Sequence, residues 1–270
     1  MRVIAYGGGV QSTALIVLAA QGRIEPVDAV LFSNVGEKAE HPDSLRYVRE
    51  VATPWAAEHG ITVTEIGYTR KDGTPVDLYE RVIREADNGG ATSIPLRGSR
   101  TGAPGNRTCT ADHKVRALAK WVKAHGATKQ DPAYMLMGIS TDEFHRATNG
   151  RDAPHERRVF PLLDLRLDRA ACQQIIADAG LPVPAKSACW FCPFHTLPRW
   201  AEVARDEPEL FERAAELEEY VNMRRAEHGR DPMYLTGRGV PLRDTITAAQ
   251  NMLPIFALGD DGCDEGVCFV

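Results

Sequence analysis

Arg2-Val-Ile-Ala-Tyr-Gly-Gly-Gly-Val-Gln-Ser-Thr13 is the stretch that decides the fold class. A short apolar run enters three glycines and leaves through Ala14-Leu-Ile-Val-Leu-Ala-Ala20, an apolar helix former that stops near Gly22. That order predicts a buried strand, a tight turn and a helix. Consecutive glycines let a backbone turn sharply and approach a ligand closely. The first amides of the following helix then face an anion, with the helix dipole behind them. Tyr6, Gly7, Gly8, Gly9, Val10, Gln11, Ser12 and Thr13 are therefore the candidate phosphate cradle. Ser12 is expected to cap the helix, and Ser12 and Thr13 to add hydroxyl donors. No Gly-Lys-Ser/Thr follows, so this is not a Walker loop, and Ser12 stands where a dinucleotide fingerprint has its third glycine. The plainer reading is an ordinary glycine-rich turn.

The segments beyond the loop extend the strand–helix alternation. Val27-Asp-Ala-Val-Leu-Phe-Ser33 reads as a second strand, 42–59 as an amphipathic helix and Ile61-Thr-Val-Thr-Glu-Ile66 as a third strand. The alternation predicts a doubly wound α/β fold, a parallel sheet with helices on both faces. Residues 90–108 are rich in Gly, Pro, Ser, Thr and Arg, and a loop that long inside a compact domain is usually functional. A helix is expected over 110–125, and a buried strand at Tyr134-Met-Leu-Met-Gly-Ile139 that ends on Gly138-Ile-Ser-Thr-Asp-Glu143. Further helices are expected over 167–180 and, as one or two pieces, over 197–227. The expected division is a nucleotide-binding α/β domain over 1–165 and a helical region over 166–270 with a Cys-x-x-Cys loop and a cysteine-containing tail.

Of the 270 residues 43% are hydrophobic and 26% charged, an ordinary globular balance. The formal net charge of −5 argues against broad non-specific nucleic-acid binding. Arginines nevertheless cluster, at Arg97, Arg100, Arg107 and Arg116 with Lys114, and at Arg146, Arg151, Arg157 and Arg158. They read either as solvated faces or as a lining for phosphates or an anionic substrate. No apolar run approaches the roughly 20 residues of a membrane span. No charged-then-apolar leader precedes the first strand, so a cytoplasmic protein without a membrane partner is expected. Its cysteines are then thiols or metal ligands rather than disulfides.

Cys189-Trp-Phe-Cys192 has the spacing that lets two sulfurs reach one metal or cluster. A zinc site completed by His195 or a tail cysteine and a redox dithiol are the alternatives. Cys172 lies on an apolar helix face and reads as core. Cys263 and Cys268 sit among acidic residues, which raise a thiol pKa; they are a nucleophile, an exchanging pair or an inert terminus. Arg107 and Lys114 flank Cys109 and are candidates for gripping phosphates. Asp142, Glu143 and Arg146 follow a strand end, where open α/β sheets offer their cleft. One carboxylate there could hold Mg²⁺, or Asp142 and Arg146 could be a plain i, i+4 helix pair. His113, His145 and His195 have no partner fixed by the sequence.

Tyr6-Gly-Gly-Gly-Val-Gln-Ser-Thr13 resembles the pyrophosphate loop of the N-type ATP pyrophosphatases, the PP-loop superfamily that includes the phosphoadenosine phosphosulfate (PAPS) reductases. Their pattern is Ser-Gly-Gly-x-Asp-Ser. Gly7 replaces the first serine and Gln11 the aspartate, which keeps the backbone cradle and removes a carboxylate. Phe32-Ser-Asn-Val-Gly36, Arg107-Thr-Cys-Thr110 with Lys114, Gly138-Ile-Ser-Thr-Asp-Glu143 with Arg146, Phe160-Pro-Leu-Leu163 and Lys186-Ser-Ala-Cys-Trp-Phe-Cys-Pro-Phe194 resemble further blocks of the reductase-like branch. The resemblance implies an adenine nucleotide alpha hydrolase-like fold, with ATP phosphates on the glycine loop and Ser33, Asn34 and Gly138 near the nucleotide. It implies that Cys109 folds beside the Cys189–Cys192 loop, and that three thiolates hold a [4Fe–4S] cluster with one open iron, Zn²⁺ being the alternative. Cys268 would match the mobile tail cysteine of the reductases. The implied activity is adenylation of a substrate oxygen followed by sulfur transfer. Its partners would be ATP, an acceptor that is a small molecule or a nucleic-acid base, and a donor of sulfur or electrons. The rivals are a PAPS-type reductase and a non-catalytic nucleotide-binding module of a DNA-modification or defence system. A homodimer is the default expectation for assembly.

Overall fold

The computed structural model describes residues 1–148 and 152–251, so the tail with Cys263 and Cys268 lies outside the described residues. Strands run at Arg2–Tyr6 (β1), Ala29–Asn34 (β2), Val63–Gly67 (β3), Arg97–Gly98 (β4), Ala133–Met137 (β5), Glu156–Val159 (β6) and Met233–Tyr234 (β7). The described chain forms two compact units. One holds residues 1–76 and 110–188; the other holds 77–109 and 189–251.

In the first unit all pairings are parallel, in the order β3-β2-β1-β5-β6. The chain winds outward from β1 in one direction, then returns to add β5 on its other side. The point of reversal between β1 and β5 is where an open α/β sheet leaves a crevice at the carboxyl ends of its strands. Both faces of β1 are covered. Ile4 and Tyr6 join a core with Leu15, Ile16, Leu18 and Ile176, while Val3 and Ala5 join a core with Leu31, Met135, Leu118 and Val122. A strand apolar at every position, rather than at alternate ones, is the signature of a sheet buried on both sides. β6 was not expected: Arg157 and Arg158 belong to an edge strand paired with β5, where charged side chains are tolerated.

The helix expected over 42–59 is present as Pro42–Arg46, Tyr47–Ala52 and Thr53–Glu58, with a π-helical turn in the middle piece. Pro54 explains the wide turn. It has no N–H to give the carbonyl of Glu50 and its ring crowds that carbonyl, so the ladder loosens just before it.

The second unit is helical, with Leu78–Asp87, Leu197–Asp206, Pro208–Glu227 and Leu242–Asn251 and the antiparallel pair β4–β7. The Leu78–Asp87 helix goes beyond the sequence expectation, although its signals are plain: Asp77 caps it, and Leu78, Val82 and Ala86 bury one face. The helical stretch 197–227 is two helices because Glu207 leaves helical geometry and Pro208 opens the next one. Tyr79 packs on Trp190 and Phe191, and Trp200 packs edge-on to His195 and Phe211. Glu218 is buried and its carboxylate accepts from Leu235 N (2.6 Å) and Leu242 N (2.7 Å), tying two loop ends to the long helix. No described helix is long and apolar enough to cross a membrane.

Leu15 is fully buried. Leu15→Ala is expected to cost about 2–5 kcal/mol through lost transfer energy and a residual cavity, measurable in a urea titration. Glu218 gives a pH signature. Burial pushes its carboxyl up to about 7 from 4.5 against the two backbone hydrogen bonds. The folded state therefore holds this proton more tightly than the unfolded one. The linked stability is complete below 4.5 and is lost as pH rises through 7, about 3 kcal/mol in all. Wild type is expected to lose this increment relative to Glu218→Gln between pH 4.5 and 8, read from denaturation midpoints across that range. A constant difference between the two proteins would contradict it.

Candidate functional site

The carboxyl end of β1 delivers Gly7, Gly8 and Gly9 into the first turn of the Val10–Ala20 helix. Gly8 has φ +74°, a left-handed conformation that only glycine adopts readily. Gly9 is the N-cap, extended at φ −99° and ψ 174°, and no side chain caps the helix. No acidic residue lies in the first turn. Ser12 therefore does not act as the expected cap; the helix has already begun at Val10. Its hydroxyl instead accepts from Gly7 N (3.3 Å) and donates to Gly9 O (3.2 Å). Thr13 Oγ1 also donates to Gly9 O (2.9 Å) and lies 3.3 Å from the Tyr6 hydroxyl. Burial pushes the Tyr6 phenol well above its ordinary range, so it stays protonated. Both hydroxyls brace the loop from within, and no side chain caps the amides of the first turn.

β5 ends beside that turn. A Cβ on Gly138 would stand 2.8 Å from Ser12 N and 3.1 Å from the Gln11 carbonyl carbon, so only glycine lets the two backbones meet. The following segment, Thr141–Thr148, is a 3₁₀ helix broken at Glu143 (φ −115°, ψ 20°). The break turns Glu143 toward the loop. Its Oε2 accepts from Gln11 Nε2 (3.3 Å) and from Arg146 Nη1 (2.6 Å). Arg146 thus pairs with Glu143, three residues back, rather than with Asp142. Asp142 instead accepts from Arg169 N at 3.0 Å, at the start of the Arg169–Asp178 helix that Asp168 caps. Arg146 is 6% exposed, and its Nε is buried without a hydrogen-bond partner among the described residues. An orphaned guanidinium N–H in a polar cluster is a group in need of an acceptor.

Two further residues were missed by sequence reasoning. Arg169 opens the Arg169–Asp178 helix and donates from Nη1 to Gln11 Oε1 (3.2 Å). Ser140 is fully buried and accepts from Gln11 Nε2 (3.3 Å). The legible signal for Arg169 was Asp168, a helix cap that fixes where the arginine must sit. Ser187 also belongs here: a Cβ on Gly9 would meet its Oγ at 3.0 Å. The first unit therefore brings together the glycine loop, Gly138, Ser140, Glu143, Arg146, Arg169 and Ser187. Lys114 is in this unit too, within the π-helical turn Ala111–Val115.

Ser33 and Asn34 end the neighbouring β2. Ser33 Oγ is buried without a partner among the described residues. Asn34 is engaged already, donating to Glu37 (2.9 Å) and Glu65 (2.7 Å) and accepting from Gly36 N (2.8 Å). Arg49 beside Glu37 holds that carboxyl below its ordinary range. Cys172 lies in the core, its thiol pushed up to about 12 first by burial and then by Asp142 and Asp168.

Cys109, Cys189 and Cys192 all fall in the second unit and are half-buried. Cys192 N donates to Cys189 O (3.1 Å), His195 N donates to Cys192 O (3.0 Å), and the His195 ring donates from Nε2 to Cys189 O (3.1 Å). A carbonyl can only accept, so Nε2 carries a hydrogen. Cys109 N donates to Ser93 O (3.0 Å). Arg107 is in the same unit, its guanidinium 4.9 Å from the centre of the Phe194 ring. Cys268 lies outside the described residues.

Gly138→Ala is expected to drive the Ser12 backbone away and cost about 1–3 kcal/mol, read as a lower denaturation midpoint together with faster hydrogen exchange of the first-turn amides. Unchanged exchange there would show that the two backbones have room. No family model matches the sequence, and no curated protein matches it.

Proposed function

We propose that the protein binds ATP through the glycine loop and uses it to adenylate an acceptor oxygen, which sulfur then replaces. The observation that carries the reading is the uncapped helix start at the reversal point of the sheet, with a buried, partly unpartnered Arg146 close by in the same network. Backbone amides at a helix N-terminus take a phosphate without a side-chain cation. Arg146 and Arg169 add positive charge where charge develops on a leaving pyrophosphate. With Gln11 in place of an acidic residue, no carboxylate lies in the first turn to repel the anion.

In the proposed reaction an acceptor carbonyl oxygen attacks the α-phosphorus of ATP. The bond to the β-phosphate breaks and pyrophosphate leaves with its electron pair. A sulfide-level donor then forms a carbon–sulfur bond and expels AMP, which carries the acceptor oxygen away. Adenylation thus turns a poor leaving group into a good one. Glu143, held by Gln11 and Arg146, is the carboxylate that would hold Mg²⁺ at the pyrophosphate. Cys109, Cys189 and Cys192 are the thiols that would hold a metal centre: they lie in one compact unit, half-buried, and the His195 ring donates to the Cys189 carbonyl. An iron–sulfur cluster on these thiols would supply a site that binds sulfur, whereas zinc would be structural.

Gly9→Asp tests the loop. Its Cβ would stand 3.0 Å from Ser187 Oγ, so that hydroxyl must shift by a few tenths of an ångström, and thermal unfolding checks that the variant is folded. Aspartate is a favoured N-cap, and its charge opposes the phosphates. ATP affinity by calorimetry is expected to fall at least tenfold. Wild-type protein that binds no ATP, or a variant that binds it equally well, would refute the site. Anaerobic purification with iron, sulfide and zinc analysis tests the thiols. About four irons and four sulfides per chain are expected for a [4Fe–4S] cluster, lost in Cys192→Ala; one zinc or no metal would remove the cluster from the reading.

A further inference from the structure

Glu218 sits in the long helix Pro208–Glu227 and is 2% exposed. Its two carboxylate oxygens hold the two ends of one short segment. Oε2 accepts from Leu235 N at 2.6 Å and Oε1 from Leu242 N at 2.7 Å. Leu235 and Leu242 are themselves fully buried, so they anchor a strap made of the residues between them, 236–241. The side-chain hydrogen bonds inside the strap are longer. Thr236 Oγ1 accepts from Arg238 N at 3.4 Å and lies 3.3 Å from Thr245 Oγ1, which donates to Val240 O at 3.5 Å. The two short bonds to Glu218 are therefore the main polar tie of the strap to the helix beneath it.

The strap lies on the turn that follows β4. Gly102 has φ +64°, and a Cβ on it would stand 2.9 Å from Gly237 O; Gly239 has φ +73°, and a Cβ on it would stand 2.6 Å from Ser99 O. At both places backbone meets backbone through glycine, with no side chain interlocked, so the strap can lift there without repacking a core. The charges near Glu218 are largely spent on one another. Glu219 on the same helix raises its proton affinity and Arg243 on the following helix lowers it, both less than burial does. Arg243 is paired with Glu212 and Glu219. The strap carries Arg238, the following helix Asp244, and β7 contributes Tyr234. On the helices packed alongside, Arg199 meets Glu202 and Glu207, Arg205 meets Asp206, Arg81 meets Glu85, and Arg224 meets Asp87.

We infer that the protein carries a proton-governed strap: 236–241 lies closed over the turn after β4 while the Glu218 carboxyl holds its proton, and lifts when that carboxyl ionises. The cause is desolvation, since a buried carboxylate lacks the water that its charge demands. Burial outweighs the two backbone amides and pushes the carboxyl up to about 7 from 4.5. When the strap lifts, water reaches the carboxylate and its ordinary value returns, so opening releases a proton between those two pH values. The open fraction is least below 4.5, rises through the window and levels off above 7. What the lifted strap uncovers is part of 90–108, the segment rich in Gly, Pro, Ser, Thr and Arg. The inference stands on the second unit alone and does not depend on ATP binding at the glycine loop.

Native-state hydrogen exchange, followed by NMR on the full chain and corrected for the pH dependence of amide chemistry, is the test. Between about pH 5 and pH 7 the protection of the Leu235 and Leu242 amides is expected to fall at least tenfold in wild type and to stay constant in Glu218→Gln. At each pH both amides are expected to exchange at least tenfold faster than the Val221 amide of the long helix, because the strap lifts while the helix stays folded. If thermal unfolding shows that Glu218→Gln is misfolded, the carboxyl carbon resonance of Glu218 in wild type serves instead, with an expected midpoint of about 7. The inference is overturned by constant protection in wild type, by the same fall in the folded variant, by one common protection for all three amides, or by a Glu218 midpoint in the ordinary carboxylate range.

Discussion

The meeting of two backbones, Gly138 at the end of β5 and Gln11–Ser12 in the first helical turn, is the constraint on which the site depends. The loop after β1 must turn sharply, and the strand beside β1 must end without a side chain, or the helix start is pushed away from the crevice. Everything placed near the loop follows from that contact. Ser140 and Glu143 come next along the chain and reach Gln11; Arg146 follows on the same short helix and reaches Glu143. Arg169 arrives from the start of the Arg169–Asp178 helix to hold the other end of the Gln11 amide. Gln11 is thus the hub of a chain of hydrogen bonds in which each member is oriented by the next.

Much of this was legible in the sequence, and the illegible part has physical reasons. Apolar runs bounded by glycines gave β1, β2 and β5 because a strand buried on both faces has no polar alternation to blur it. The edge strand β6 was hidden by Arg157 and Arg158, since an edge need bury only half of itself. The helix over 42–58 was visible from its period, but the π-helical turn before Pro54 is a response of the backbone ladder that no pattern of side chains announces. Glycine composition located the loop but not its cap. Ser12 has the chemistry of a cap, yet hydroxyl direction is set by which residue first turns helical, and that is Val10. The pairing of Arg146 with Glu143 rather than Asp142 likewise needed the kink at Glu143, a local departure from the helical spacing that the sequence suggested.

The two units use different means to hold polar groups out of water. Around the glycine loop the polar atoms satisfy one another in pairs, with Arg146 Nε and Ser33 Oγ left over. In the second unit a single buried carboxylate, Glu218, serves two backbone amides at once and carries the cost of desolvation in its raised proton affinity. Aromatic side chains do the rest there. Trp190, Phe191, Trp200 and Phe211 fill a core that the two-residue strands β4 and β7 could not stabilise alone.

The second unit is assembled from two pieces of chain, 77–109 and 189–251, that the first unit separates. During synthesis the earlier piece leaves the ribosome long before its partners exist. The capped helix Leu78–Asp87 and the loop to Cys109 must then wait while the parallel sheet completes itself through β5 and β6. Val82 and Ala86 stay without their final neighbours over that interval, which favours a nascent helix that is polar on its outer side and well capped at its start, as this one is. The order of folding is thereby written into the order of the chain: sheet first, helical unit last.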